Sequence, residues 1–177
     1  MTDTFLFCGT GAADYVAPEE GKEFRKNTHS LLNDVILFDI GGMTYQFEEP
    51  AVIRERLKNV RHVFITHTHS DHFCAQALER LAKDNGSVHV YIDEFAVNRI
   101  PKNENITVVP VSSGDKLELD GYTVYVFSSN HQGDLPEENT HHYVVDTPSG
   151  KTLFYALDGA WLKMDEGKFL MQHPADL

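Results

Sequence analysis

Residues 67–72 read His-Thr-His-Ser-Asp-His, three imidazoles and one carboxylate in six positions. They follow Val63-Phe64-Ile65, an apolar run with the character of a buried strand. Neutral imidazole nitrogens and carboxylate oxygens are the donors that zinc and similar divalent ions take, at about 2.0–2.2 Å. A tight turn leaving a strand end points alternate side chains into one pocket, so His67 and His69 can share one ion. Asp71 and His72 then lie on the other side of the turn, placed for a second. Two ions about 3.5–4 Å apart form a hydrolytic clamp, sharing a hydroxide and polarising the bond it attacks. A low-complexity histidine tract, which binds metal adventitiously, is a different pattern from one such string set between a strand and a helix.

Periodicity and turn chemistry outline the elements that must position this string. Residues 4–8 read as a first strand. The small-residue turn Gly9-Thr10-Gly11-Ala12-Ala13-Asp14 follows it, lacking the Lys-Ser/Thr ending of a nucleotide phosphate loop. Residues 15–27 have no clean period and read as a long loop, a kind of segment that is often functional. Strands are expected over His29–Leu32 and 35–39, joined by an Asn33-Asp34 hairpin turn, and Gly41-Gly42 then breaks the chain. Phe47, Val52, Ile53 and Leu57 fall at near-helical spacing, with Pro50 tolerable in the first turn. Residues 61–66 form the strand that feeds the histidine string. Phe73, Ala77, Leu78 and Leu81 mark one face of a helix stopping near Asn85-Gly86. A strand over 88–92 and a short helix capped by Asp93 follow.

The second half is richer in strands: 106–109, 116–119 and 122–127, the last two joined at Asp120-Gly121. A polar loop over 128–140 carries His131 and Gly133, and 142–146 pairs with 152–156 across Pro148-Ser149-Gly150. The alternation predicts an α+β protein, a two-layered β core with helices outside. No linker, composition break or tandem repeat divides it, so residues 1–177 are expected to form a single domain.

Composition narrows the partners. A formal net charge of −12 argues against a nucleic-acid binder, which needs a basic stripe to displace counterions. A small-molecule substrate reaching a cationic dimetal centre suits this balance, and the remaining charge reads as a solvated acidic surface. There is no opening basic-then-apolar segment and no apolar run of membrane-spanning length. Cys8 and Cys74 fall in an expected strand and helix and indicate no disulfide framework, so a cytoplasmic protein with no membrane partner is expected.

The string His67-Thr68-His69-Ser70-Asp71-His72 resembles the signature of the metallo-β-lactamase-fold hydrolases. That resemblance implies an αββα sandwich with a dimetal site at one edge of the β core. It covers nearly the whole chain and is far more specific for the fold than for the substrate. It implies that His67 and His69 hold the first metal, and Asp71 and His72 the second. It adds His131, in Ser128-Ser129-Asn130-His131, as the next ligand and Asp158, after Leu153-Phe154-Tyr155-Ala156-Leu157, as a bridge between both ions. Asp39, before Ile40-Gly41-Gly42, resembles the carboxylate that supports the ligand loop by fixing a histidine tautomer. His141 and His142 match no motif and read as strand or rim residues. The opening glycine turn, the long loop after it and Asn27-Thr28-His29-Ser30 are similar to the phosphodiesterase branch, which includes the tRNA 3′-processing nucleases.

Family members usually continue beyond the bridging Asp to a last His of the second site. His173 follows Asp158 too closely, and sits beside Pro174, to match that position comfortably. Judged against the resemblance, the first site is nearly complete and the second, left with Asp71, His72 and Asp158, binds more weakly. A sandwich without its last C-terminal strands and helix would leave an apolar face that a homodimer or a longer chain would cover. The activity implied is metal-dependent hydrolysis of a small phosphodiester by a metal-bound hydroxide, with Asp71 orienting that hydroxide as well as binding metal. Two divalent ions are expected, zinc first, with manganese or iron also suited to these donors. Lactone, thioester and β-lactam hydrolysis use the same centre, and a degenerate member would bind metal or a partner without turnover. Redox members typically replace a motif His by a carboxylate, which His69 and His72 disfavour.

Overall fold

Period-two alternation decides which way each side chain of the central strands faces. The computed structural model describes residues 2–10, 26–46 and 48–177. Residues 11–25 of the opening turn and long loop, and Phe47, lie outside the described residues. Among the described residues, six strands form the first sheet in the order β1 (Phe5–Gly9), β2 (His29–Leu32), β3 (Ile36–Phe38), β4 (His62–Phe64), β5 (Val88–Asp93) and β6 (Ile106–Val111). The β1, β2 and β3 pairings are antiparallel, and β3 to β6 run parallel. A second sheet of four antiparallel strands has the order β10 (Thr152–Tyr155), β9 (Asn139–Asp146), β8 (Tyr122–Gln132) and β7 (Lys116–Leu119).

The inner parallel strands β3 and β4, and β5 apart from His89, are buried on both faces, as their near-continuous apolar sequence requires, whereas the edge strand β6 is largely exposed. Leu37, Val63, Ile65, Val90 and Ile92 face α1 (Pro50–Leu57) and α2 (Ala75–Asn85), in one cluster with Ile53, Leu57, Leu78 and Leu81. Their neighbours Ile36, Phe38, Phe64 and Tyr91 face the second sheet, in a cluster with Val124, Val126, Tyr143, Val145 and Tyr155. Aromatic stacking fixes that interior: Phe64 on Tyr91 at 4.2 Å and Phe38 on Tyr155 at 4.4 Å between ring centroids. On the outer side of the second sheet, Phe169 of α3 (Met164–Gln172) packs on Tyr125 and Phe127. The layers therefore run helix, sheet, sheet, helix, as expected.

Several boundaries differ from the sequence reading. The strand read over 61–66 is shorter, because beyond Phe64 the side chain of Asp39 takes over as acceptor for the Thr66 N–H. Phe73 precedes α2 and pairs instead with Ile40, while Val52 of α1 is half exposed and only Ile53 and Leu57 of that helix are buried. Residues 128–140 are not one loop: β8 runs on to Gln132 and β9 starts at Asn139, with an irregular register between Ser128 and Gln132. The apolar alternation ends at Phe127 although the hydrogen-bonded strand does not. Gly9 belongs to β1, beside a register shift, rather than to a turn. The Asn33-Asp34 turn forms as read, both residues having positive φ, and Asp93 caps a 3₁₀ helix (Glu94–Arg99) by accepting from Phe95 N–H. Among the described residues, no helix is long and apolar enough to cross a membrane.

Candidate metal centre

Strand ends of both sheets converge on one edge, where parallel sheets present their carboxyl-terminal crevice. Asp39 leaves β3 with φ of +58° and His67 follows β4. The two sheets are tied together here, since His141 N–H donates to Thr66 O at 2.8 Å and Tyr143 Oη–H to Ile65 O at 2.7 Å. Gly41 lets the β3 exit pass under the string: an added Cβ would sit 2.1 Å from Asp71 O and 2.6 Å from Asn27 Cβ. Gly42 N–H then donates to Ser70 O at 3.0 Å.

Asp39 is fully buried and organises the string from below. Its carboxylate accepts from Thr66 N–H at 2.7 Å, from Thr66 Oγ–H at 2.9 Å and from His72 Nδ1–H at 2.8 Å. The last bond sets the His72 tautomer and leaves Nε2 facing Asp71 and Asp158. Thr66 Oγ also lies 3.1 Å from His67 Nδ1 and accepts from it, which leaves His67 Nε2 as the free donor atom.

Four of the expected ligands close around one point. His67 Nε2 and His69 Nδ1 are 2.9 Å apart, and His69 Nδ1 and His131 Nε2 are 3.2 Å apart. Asp158 Oδ2 lies 3.6 Å from His67 Nε2 and 3.7 Å from His131 Nε2. Bonds of about 2.0–2.1 Å to a tetrahedral ion give donor–donor edges of about 3.3–3.4 Å, so these spacings suit such an ion. A second group shares the same oxygen: His72 Nε2 is 3.2 Å from Asp158 Oδ2 and 3.5 Å from Asp71 Oδ2. The two groups, His67-His69-His131-Asp158 and Asp71-His72-Asp158, could each hold an ion. Asp158, which could have been a plain turn former, does have φ of +52°, and it also belongs to both groups.

The electrostatics of the cluster follow from burial and charge. Burial, reinforced by His72 and His69, pushes His67 down to about 3, so its imidazole is neutral and has a lone pair to give. Burial works against the charged form of His72 too, but Asp39 and Asp158 prevail and raise it to about 10. A hydrogen bond from His72 holds Asp158 down to about 2, against the opposing effect of burial. A cation and a proton therefore compete for His72 Nε2. His67, His72 and Asp71 are buried, whereas Asp158, His69 and His131 are a third or more exposed and open the centre to solvent.

The other histidines go elsewhere. His141 and His142 are strand residues of β9, one of the two readings offered for them, and not rim residues: both are buried, His141 Nε2 3.0 Å from Asp93 and His142 Nδ1 2.7 Å from Glu166 of α3. His173 Nε2 pairs with Asp146 at 2.7 Å and joins neither group. Sequence reasoning missed three supporting residues. Ser129 Oγ–H donates to Asp158 O at 2.9 Å and accepts from His131 N–H at 3.1 Å, linking two of the clustered residues. Asp134 stands 3.6 Å from His69 Nε2 and 3.2 Å from Arg99. Glu138 binds Thr68. All three lie in the stretch read as a polar loop, where no period or motif marks them.

Comparison with known proteins agrees with this fold. The family model described as the beta-lactamase superfamily domain matches residues 34–177, and the chain belongs to that family. Its fold is similar to that of the metallo-β-lactamase fold protein YhfI from Bacillus subtilis, with TM-score 0.63 and 13% identity over 87% of this chain and 62% of that one. A possible metal-dependent hydrolase from Veillonella parvula DSM 2008 aligns with TM-score 0.61 and 19% identity, over 85% of this chain and 67% of that one. The metallo hydrolase Igni18 from the archaeon Ignicoccus hospitalis KIN4/I gives TM-score 0.55 and 20% identity, over 76% and 57%. The chain thus spans 57–67% of the length of these three structures. No curated protein matches it.

Proposed function

We propose that this protein is a metal-dependent hydrolase of a small phosphodiester, in the phosphodiesterase branch of its superfamily. The observation that carries the reading is the sharing of Asp158 Oδ2 between two adjoining donor groups that open to solvent. His67, His69, His131 and Asp158 would hold one ion, and Asp71, His72 and Asp158 the other. Zinc fits these donors best, with manganese or iron also suited. When bound, such a pair polarises the scissile bond and acidifies water.

The chain's own groups do the rest. Asp71, buried with its carboxylate 3.5 Å from His72 Nε2 in the second donor group, would orient the attacking water and take up its proton. The water oxygen would bond to phosphorus as the ester P–O bond breaks, and the departing alkoxide would take from Asp71 the proton it removed from water, leaving as an alcohol and restoring the carboxylate. Arg99, paired with Asp134 beside His69, supplies the guanidinium at this rim, a group suited to an anionic ester. Free thiols at Cys8 and Cys74 support a cytoplasmic setting.

The test is metal analysis of the purified protein together with hydrolysis of bis(p-nitrophenyl) phosphate, a lactone, a thioester and a β-lactam. Two metal equivalents, and phosphodiester turnover lowered at least about 100-fold by Asp71→Ala, are expected. Turnover of only the carbonyl substrates would overturn the substrate class. Bound metal with no turnover of any of them would favour the non-catalytic, metal-binding reading.

A further inference from the structure

Between β8 and β9, Glu138 is 4% exposed, and its carboxylate is spent on neutral donors. Oε1 accepts from Thr68 N–H at 2.6 Å. Oε2 accepts from Thr68 Oγ–H at 2.6 Å and from Leu135 N–H at 3.2 Å. Thr68 stands between His67 and His69, so one acid from a distant loop engages both donors of the residue separating two members of the first group. The loop that carries Glu138 starts beside His131, the third histidine of that group. Gln132 Nε2 gathers it by donating to Leu135 O at 2.8 Å. Gly133 leaves room for the acid, because a Cβ there would lie 2.4 Å from Glu138 Cδ.

We infer that Glu138 is a positioning residue: by clamping Thr68 it sets the distance between His131 on one strand end and His67 and His69 on another, and so assembles the first metal site. The inference rests on the metal-centre reading above. Its physical content is that a buried carboxylate has two acceptor oxygens, one for each Thr68 donor. A glutamine of the same size has one acceptor and one NH₂: with its oxygen kept on Thr68 N–H, the NH₂ faces the Leu135 N–H, and the Thr68 hydroxyl must turn away and accept where it donated before. The three histidine nitrogens, which lie 2.9 and 3.2 Å apart in successive pairs, then lose the fixed placement that ion binding depends on.

Cobalt(II) titration with chelator competition tests this, read by the visible d–d absorption and compared among wild type, E138Q, T68V and His131→Ala. E138Q should bind cobalt about 10–100-fold more weakly in the step that His131→Ala abolishes, with altered band positions or intensity. T68V removes only the hydroxyl donor and should show a smaller loss in the same step. Should E138Q fail to fold by circular dichroism, T68V and Gly133→Ala, which displaces the acid, report on the same clamp. Folded variants with wild-type cobalt affinity and spectrum overturn the inference, even if their thermal unfolding is lowered. Wild-type protein that binds no cobalt overturns instead the metal-centre reading beneath it.

Discussion

Asp39 shows how much one side chain can organise. It accepts from the main chain and hydroxyl of Thr66 and from His72 Nδ1, and so fixes both the strand exit and the face His72 turns toward Asp158. Asp39→Asn should weaken the affinity of the Asp71-His72-Asp158 group about 10–100-fold, measured by chelator competition, because an amide donor then opposes His72 Nδ1–H. Unchanged affinity would remove Asp39 from this role. A second residue-scale effect concerns pH. Burial, the dominant influence, pushes His29 down to about 4, although its Nδ1–H donates to Asn27 O at 2.9 Å. A histidine depressed in the folded state binds its proton first in the unfolded chain, so its contribution is complete above the unfolded value near 6.5 and is lost as pH falls toward 4. From pH 7 to pH 5 this one group should cost about 2 kcal/mol of unfolding free energy. Urea titrations at the two pH values check it. An equal acid loss in wild type and His29→Gln would contradict it.

At the scale of elements, two glycines make a contrast. Gly86 ends α2 with φ of +81° and open space around it, whereas Gly41 lies in contact range of the motif backbone. Gly86→Ala should cost about 1 kcal/mol, from the left-handed conformation alone, and leave metal binding intact. Gly41→Ala should cost about 1–3 kcal/mol or more and impair metal binding as well, since Asp71 must move. Equal effects of both on metal affinity would contradict this. Gly86 was readable in advance, because a polar helix end followed by glycine is a local signal. The close approach at Gly41 was not, since it depends on what passes 30 residues later in the chain. The same division runs through the fold. The apolar runs at 35–38 and 63–65 mark their strands in the sequence, and the hairpin at Asn33-Asp34 is marked there too. The continuation of β8 to Gln132 is not, because the residues from Ser128 to Gln132 are polar and carry no apolar alternation. Within the site, the string at 67–72 announced itself by spacing, and His131 and Asp158 were legible through family resemblance. Ser129, Asp134 and Glu138 act through hydrogen bonds and ion pairs formed only after folding, and nothing local encodes them.

Across the whole molecule, the donors come from both sheets: His67, His69, Asp71 and His72 follow β4, His131 lies on β8 and Asp158 follows β10. Ions held there would cross-link the two layers, and any ligand that binds only the folded state stabilises it. Chelation should therefore lower the unfolding free energy of the loaded protein by about 3 kcal/mol where free metal stands near 100 times its dissociation constant, read by thermal or urea unfolding. No change on chelation would place the ions outside the sandwich edge. The central claim is narrower: one carboxylate oxygen, Asp158 Oδ2, belongs to both donor groups. Zinc titration against a chromophoric chelator, with wild type and Asp158→Ala compared, tests it most directly. Two binding steps in wild type, both weakened together in Asp158→Ala, are predicted. A variant that loses one step and keeps the other at wild-type affinity would contradict the shared bridge.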